Sequence, residues 1–249
     1  MVTGVVESRT ETSAYPELKG ARILITGLES GHGVDIARAF AAAGCRLVLQ
    51  TPTLDTELDI VLEILAQEAT EVRVSSEPLV SEEAALKFAQ SAVAAFGGLD
   101  VVINLARLDV SGIGRNATED DIERCLSSTL GRPLKVTQVI ANRMQLTWKE
   151  GLILNIITQT GPATASTEHL GRIARATLAA VTRKEAARWA DKAIRINAIV
   201  PAGQDTCEPG AVDTRLKSEP EIAAVALHLA SNRGKSVSGI VFDAAHAKV

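Results

Sequence analysis

Residues 21–33 read ARILITGLESGHG, and the fold is decided there. The apolar run Ile23 to Ile25 has the length of a strand, Thr26-Gly27 ends it, and Gly31-His32-Gly33 opens the alanine-rich segment Val34 to Ala43. Where strand, glycine turn and helix follow one another, glycines bring the backbone close to a pyrophosphate, and the free N–H groups of the helix start favour its negative charge. Glycines in such a turn also serve packing without any ligand. Gly27, Gly31 and Gly33 therefore carry two readings, contact with a dinucleotide and plain turn geometry.

The same alternation repeats downstream. Arg46 to Leu49, Val72 to Val74, Leu99 to Leu105, Leu152 to Ile157, Ile194 to Val200 and Ile240 to Phe242 read as strands. Helical spacing of apolar residues marks Thr53 to Ala69, a segment capped by Ser81 and running to Phe96, Thr118 to Met144, Gly171 to Ala190, and a segment from Pro220. Thr118-Glu119-Asp120-Asp121 has the form of a capping box, and Pro133 is expected to kink the long helix that follows. Strands alternating with helices imply right-handed crossovers and a mostly parallel sheet. The expected fold class is α/β: a Rossmann-type doubly wound parallel sheet, flanked by helices on both faces, in a single domain.

Composition narrows the function classes. At 249 residues the chain is long enough for one large core, and an aromatic share of 3% means that Ala, Val, Leu and Ile must fill it. A formal net charge of -4 gives no basic footprint for nucleic acid, and no run of about 18 apolar residues exists to cross a bilayer. Met1 to Tyr15 is polar with no apolar export segment, which implies a loose extension over 1–17, a domain over 18–249 and a cytoplasmic location. Cys45, Cys125 and Cys207 are widely spaced, without a C-x-x-C or paired histidines, and read as reduced thiols rather than a metal site or nucleophile.

In this order of elements the chain resembles a short-chain dehydrogenase/reductase from Leu18 to Ala245. Thr26-Gly27, Gly31 and Gly33 follow that family's T-G-x-x-x-G-x-G turn, and Leu99 to Asn104 is similar to its strand leading into N-N-A-G. Arg195-Ile196-Asn197-Ala198 with Pro201 is similar to R-V-N-A-x-x-P-G, and Pro220 to Ala223, Leu229 to Ser231 and Ser238-Gly239 match its terminal helix and turn. The resemblance implies an NAD-dependent alcohol oxidation. That chemistry uses a tyrosine as general acid/base, a lysine four residues on along the helix face, a serine on the carbonyl and an asparagine holding a water.

All four positions have changed. The single tyrosine is Tyr15, upstream of the first strand, while alignment places Gly171 at the tyrosine, Arg175 at the lysine, Thr158 at the serine and Thr129 at the asparagine. Glycine has no side chain to move a proton, and arginine stays protonated. Arg175 reads as an ordinary helix arginine, with a residual anion contact as the rival reading.

The cofactor positions have changed as well. Thr51, preceded by Gln50, stands at the ribose carboxylate, Pro78 at the aspartate that meets adenine, and Arg107 at the glycine of N-N-A-G; Glu29 puts a negative charge inside the phosphate turn. Gly27, Gly31, Gly33 and Asn104 are then vestiges of a cofactor site, and the chain is expected to bind no dinucleotide. From Pro201 to Pro220 it has roughly half of the usual substrate lid. The resemblance implies retained assembly helices, Thr118 to Met144 and Gly171 to Ala190, with Ala179, Ala180, Ala186 and Ala187 allowing close approach. The sequence reading is therefore a chain without catalytic residues of its own, assembled, as a heterotetramer, with an active homologous subunit that carries NAD. Two alternatives stay open: an active NAD(P)-dependent oxidoreductase using Thr158 and His169, and a nucleotide-sensing regulatory protein.

Overall fold

A computed structural model describes residues 14–79, 81–113, 117–146, 150–161, 164–201 and 215–244. Seven strands form one parallel sheet: β1 (Arg22–Thr26), β2 (Arg46–Gln50), β3 (Glu71–Ser75), β4 (Val101–Asp109), β5 (Gly151–Thr160), β6 (Ile194–Pro201) and β7 (Val241–Ala244). Their order is β3-β2-β1-β4-β5-β6-β7. The chain reverses its direction of travel between β1 and β4, and a crevice forms outside the carboxyl ends of the strands at such a switch point. The register sets Thr26 beside Asn104, Asn104 beside Asn155, and Arg107 beside Thr158 at that end.

Side chains alternate across each strand, so the sheet carries two cores. Ile23 and Ile25 face one layer with Ile36 and Phe40 of α1 (Val34–Ala42), Leu58 and Leu65 of α2 (Thr56–Glu68), and Ile222 and Leu229 of α7 (Glu219–Ala230). Leu24 and Val102 face the other, with Phe88 of α3 (Glu82–Ala95), Ile140 of α5 (Arg132–Leu146) and Trp189 of α6 (Ala165–Trp189). Leu170, Ala174 and Leu178 of α6 continue that layer toward the carboxyl end. The doubly wound α/β class expected from the alternation is the fold observed.

Capping chemistry sets the helix starts, and it moves several expected boundaries. Asp55 accepts from the Leu58 N–H and Ser81 from the Ala84 N–H, so α2 begins three residues later than its apolar spacing suggested and α3 begins where expected. Thr118 and Asp121 form the capping box of α4 (Glu119–Leu126). A second box, Thr164 with Thr167, starts α6 six residues before Gly171, which therefore lies inside the helix. The break between α4 and α5 is a π-helical turn, Ser127–Gly131, ending just ahead of Pro133. A proline ring collides with the carbonyl four residues back, which here belongs to Thr129, so the ladder widens upstream of the proline rather than at it.

The described part of the expected loose extension is docked. Pro16–Leu18 forms a 3-10 turn, Leu18 is buried in the core, and the Glu17 carboxylate accepts the Asn232 N–H at 3.1 Å. Residues 1–13, the 202–214 part of the expected lid, and Cys207 lie outside the described residues. Of the described thiols, Cys45 is buried, donates to the Leu18 carbonyl at 3.2 Å and is pushed by burial to a pKa of about 12; Cys125 is raised by the same cause. Both fit reduced, inert thiols. No described helix is long and apolar enough to cross a membrane.

Candidate functional site

The glycine turn is closed on itself. Gly27 sits at φ 75° against the Leu105 carbonyl oxygen, and Gly33 at φ 89° against the Leu105 side chain, so β4 packs where any Cβ would stand. Both need glycine for backbone conformation and for space. Gly31 differs from them: it is exposed, and nothing lies within 4 Å of an added Cβ. Turn geometry therefore accounts for two of the three glycines and leaves Gly31 unexplained.

Five amide donors between Gly27 and Asp35 have partners within the chain. Gly27 N–H donates to Gln50 Oε1 at 2.8 Å and Leu28 N–H to the Gln50 carbonyl at 3.0 Å. Glu29 and His32 exchange both backbone bonds at 3.0 Å. In the first turn of α1, the Asp35 N–H donates to Glu219 Oε1 of α7 at 2.9 Å. A helix start holds an anion through such groups, and here the anion is a carboxylate of the same chain. Gln50 also donates from Nε2 to the Glu77 carbonyl at 3.0 Å, and Thr51 is fully buried, bonded to Ser75 and Thr53. Pro78 is exposed.

Arg107 and Glu29, two separate departures in the sequence, meet in a salt bridge of 2.8 Å across the crevice. On one side lies a chamber of about 460 Å³ bordered by His32, Thr158, Lys217 and Glu219; on the other, a chamber of about 190 Å³ bordered by Gln50, Pro52, Leu79 and Val136. His32 borders both. It is 6% exposed, its Nε2 has no hydrogen-bond partner, and burial, reinforced by the Arg107 charge, lowers its pKa to about 4. The imidazole is neutral at pH 7. Thr158 Oγ1, facing the same chamber, is likewise enclosed without a partner.

The remaining positions named from the resemblance are engaged inside the protein. The Gln159 carboxamide oxygen lies 2.5 Å from where a Cβ on Gly171 would stand, while its Nε2 donates to the Thr167 carbonyl at 3.3 Å. Arg175 donates from Nε to Asp243 Oδ1 at 2.8 Å, an ion pair within the chain. Thr129 is buried, and its hydroxyl donates to the Cys125 carbonyl at 2.8 Å, with the Arg107 carbonyl at 3.3 Å. His169 is exposed on α6 and is not among the residues that border the chamber holding Thr158.

Asn104 is fully buried, and its side-chain bonds all run inward. Its Nδ2 donates to Asn155 Oδ1 at 2.9 Å and Thr137 Oγ1 at 3.0 Å, and its Oδ1 accepts from Thr26 Oγ1 at 3.1 Å. These bonds tie β1, β4, β5 and α5 together beneath the crevice. Of the alanines expected to admit a partner helix, Ala179 and Ala186 are buried in this chain's own core, while Ala180 and Ala187 are exposed. Among the described residues no group of three His, Cys, Asp or Glu is placed to hold a metal.

Sequence reasoning missed Gln159, Glu219 and the chemical part of His32. Gln159 has a readable signal, a long polar residue in an otherwise apolar strand next to the serine position. Glu219 has none, because its partner Asp35 is 184 residues away.

The topology and the crevice at its switch point define a Rossmann-type chain. More particularly, the chain belongs to the short-chain dehydrogenase family, whose model matches residues 21–223. It is similar to glucose 1-dehydrogenase 2 of Bacillus subtilis, 26% identical over 243 residues, covering 90% of this chain and 93% of that one. It is also similar to galactitol 2-dehydrogenase of Agrobacterium fabrum, 27% identical over 188 residues, 73% of this chain and 70% of that one. Among solved structures, a short-chain type dehydrogenase/reductase from Mycobacterium marinum superposes with a TM-score of 0.76 at 19% identity, over 91% of this chain and 94% of that one. A short chain dehydrogenase from Burkholderia cenocepacia in complex with NADP gives 0.73 at 22% identity, over 92% and 97%.

Proposed function

We propose that this member of an oxidoreductase family is a non-catalytic subunit of a heteromeric NAD-dependent short-chain alcohol dehydrogenase, supporting an active homologous subunit that oxidises a hydroxyacyl-CoA-type alcohol. One observation carries the loss of catalysis: the place of the general acid/base is Gly171, and the Gln159 carboxamide fills the space its side chain would need. Arg175, at the lysine position, is held by Asp243, and a guanidinium is not a proton donor near neutral pH. Neither group can move a proton to or from a substrate hydroxyl. The relatives are named as dehydrogenases, and this reading assigns their activity to the partner subunit rather than to this chain.

The two helices that the resemblance assigns to assembly each leave one large apolar residue exposed, Leu146 of α5 and Ile173 of α6. The pattern of loss is similar to that of the inactive subunit of the heteromeric 2-[hydroxy(phenyl)methyl]-succinyl-CoA dehydrogenase of anaerobic toluene degradation. The test is expression of the chain alone and together with homologues encoded beside it, followed by co-purification and measurement of NAD-dependent alcohol oxidation. The reading expects turnover only from the co-purified complex; turnover by the isolated chain overturns it. A second reading, a ligand-binding regulatory chain, is favoured by the two unpartnered groups, His32 Nε2 and Thr158 Oγ1, that border the larger chamber. It expects ligand-dependent stability without a partner subunit.

A further inference from the structure

We propose that the phosphate cradle of this chain carries its own anion: the Glu219 carboxylate, seated on the Asp35 N–H at the start of α1 and backed by the Glu29–Arg107 pair, occupies the place of a cofactor pyrophosphate and excludes dinucleotides. This extends the reading above from catalysis to the cofactor, and it rests on different residues.

A strand-turn-helix cradle receives a pyrophosphate through unpaired backbone N–H groups and the positive end of a helix. Each N–H has one hydrogen to give. Here Gly27, Leu28, Glu29, His32 and Asp35 have each given theirs to a group of this chain. At the helix start, where negative charge is most favoured, the acceptor is itself a carboxylate.

Glu219 is fixed from behind. Ser218 caps α7 by accepting the Glu221 N–H, and α7 buries Ile222, Ala223, Ala226 and Leu229 in the core that also holds α1. The helix cannot withdraw without opening that core, so the carboxylate is delivered to Asp35 by packing. Glu29 puts a second negative charge into the same turn and takes up the guanidinium of Arg107, the cation that reaches across the crevice. An incoming pyrophosphate thus meets two carboxylates and an arginine already matched. Removing both carboxylates reverses the situation: it frees the Asp35 N–H and leaves Arg107 facing the cradle unmatched, as a phosphate ligand.

Calorimetric titration of the full chain with NADH and with inorganic pyrophosphate, native and as the Glu29→Ala/Glu219→Ala variant, tests this. We expect no saturable binding by the native chain, affinity at least tenfold higher in the double variant for both probes, and loss of that gain when Arg107→Ala is added. Glu219→Gln keeps an acceptor for Asp35 and drops only the charge, so it reports, with a smaller gain, even where the double variant does not fold. Tight NADH binding by the native chain overturns the proposal, as does a folded variant that binds no better. Native binding without turnover overturns this proposal alone and leaves the non-catalytic reading standing; native binding with turnover overturns both.

Discussion

The carboxamide oxygen of Gln159 stands 2.5 Å from the point where a side chain on Gly171 would begin. The two positions are therefore coupled. Glycine inside a helix is less favourable than alanine by about 1 kcal/mol. In a Gln159→Ala background, Gly171→Ala should recover that amount. In the native background the new methyl displaces the carboxamide and its bond to the Thr167 carbonyl, so the gain shrinks by about 0.5 kcal/mol or more. Urea unfolding of the two single variants and the double variant measures the difference, and strict additivity would show that Gln159 moves aside freely.

The glycines of the turn should divide by what stands behind them. Gly27→Ala and Gly33→Ala each force a left-handed backbone and drive a methyl into Leu105, and each should cost about 3 kcal/mol or more. Gly27 is the worse case, because its obstacle is a backbone carbonyl. Gly31→Ala meets open space and should change stability by less than about 0.5 kcal/mol. Melting temperatures of the three variants give the ranking; a destabilised Gly31→Ala would contradict it.

Burial of His32 gives the fold a definite pH dependence. Its folded pKa is lowered to about 4 from 6.5, so between those values the unfolded chain takes up a proton that the native state refuses. The contribution is fully present above pH 6.5 and is lost as pH falls through the window, reaching on the order of 3 kcal/mol near pH 4. His32→Gln should flatten this slope without affecting stability losses from other groups. Denaturant midpoints at pH 7 and pH 5, native against variant, are the measurement. Equal slopes would place the acid sensitivity elsewhere.

Asn104→Ala removes the centre of the network that includes Thr26, Thr137 and Asn155, leaving buried polar groups without partners. The expected cost is about 2–4 kcal/mol. Because the side chain is fully buried, the loss should appear in unfolding by denaturant rather than in any change of surface chemistry. A neutral outcome would mean that the remaining three side chains re-pair among themselves.

The sheet was legible because its signals are local. Runs such as Ile23 to Ile25 and Ile194 to Val200 are buried on both faces and read as strands without further context, and caps such as Ser81 and Thr118 announce their helices within a single turn. The departures from the family's pattern at Gly171 and Arg175 were also readable, since neither residue type has the chemistry of the tyrosine or lysine that the pattern places there. What surrounds these and the other departures was not. Glu29 and Arg107 each looked like a separate misfit until the fold set them 2.8 Å apart. Gln159 is one residue from the serine position, yet only the strand's pleat shows that it points at α6 while Thr158 points into the crevice. Side chains that act across long sequence separations leave no periodicity behind.

The bond between Asp35 and Glu219 has a consequence for how the chain comes to be folded. It joins the first long helix to the last across 184 residues, so the opening strand-turn-helix unit emerges from synthesis with its helix start incomplete and is finished only when α7 docks. Contacts of such separation are slow to form, and until α7 docks the apolar face that it covers stays open to water. Truncation just ahead of residue 219 should therefore leave not a smaller stable domain but a loosened first half. The terminal helix acts as the clasp of the whole sheet.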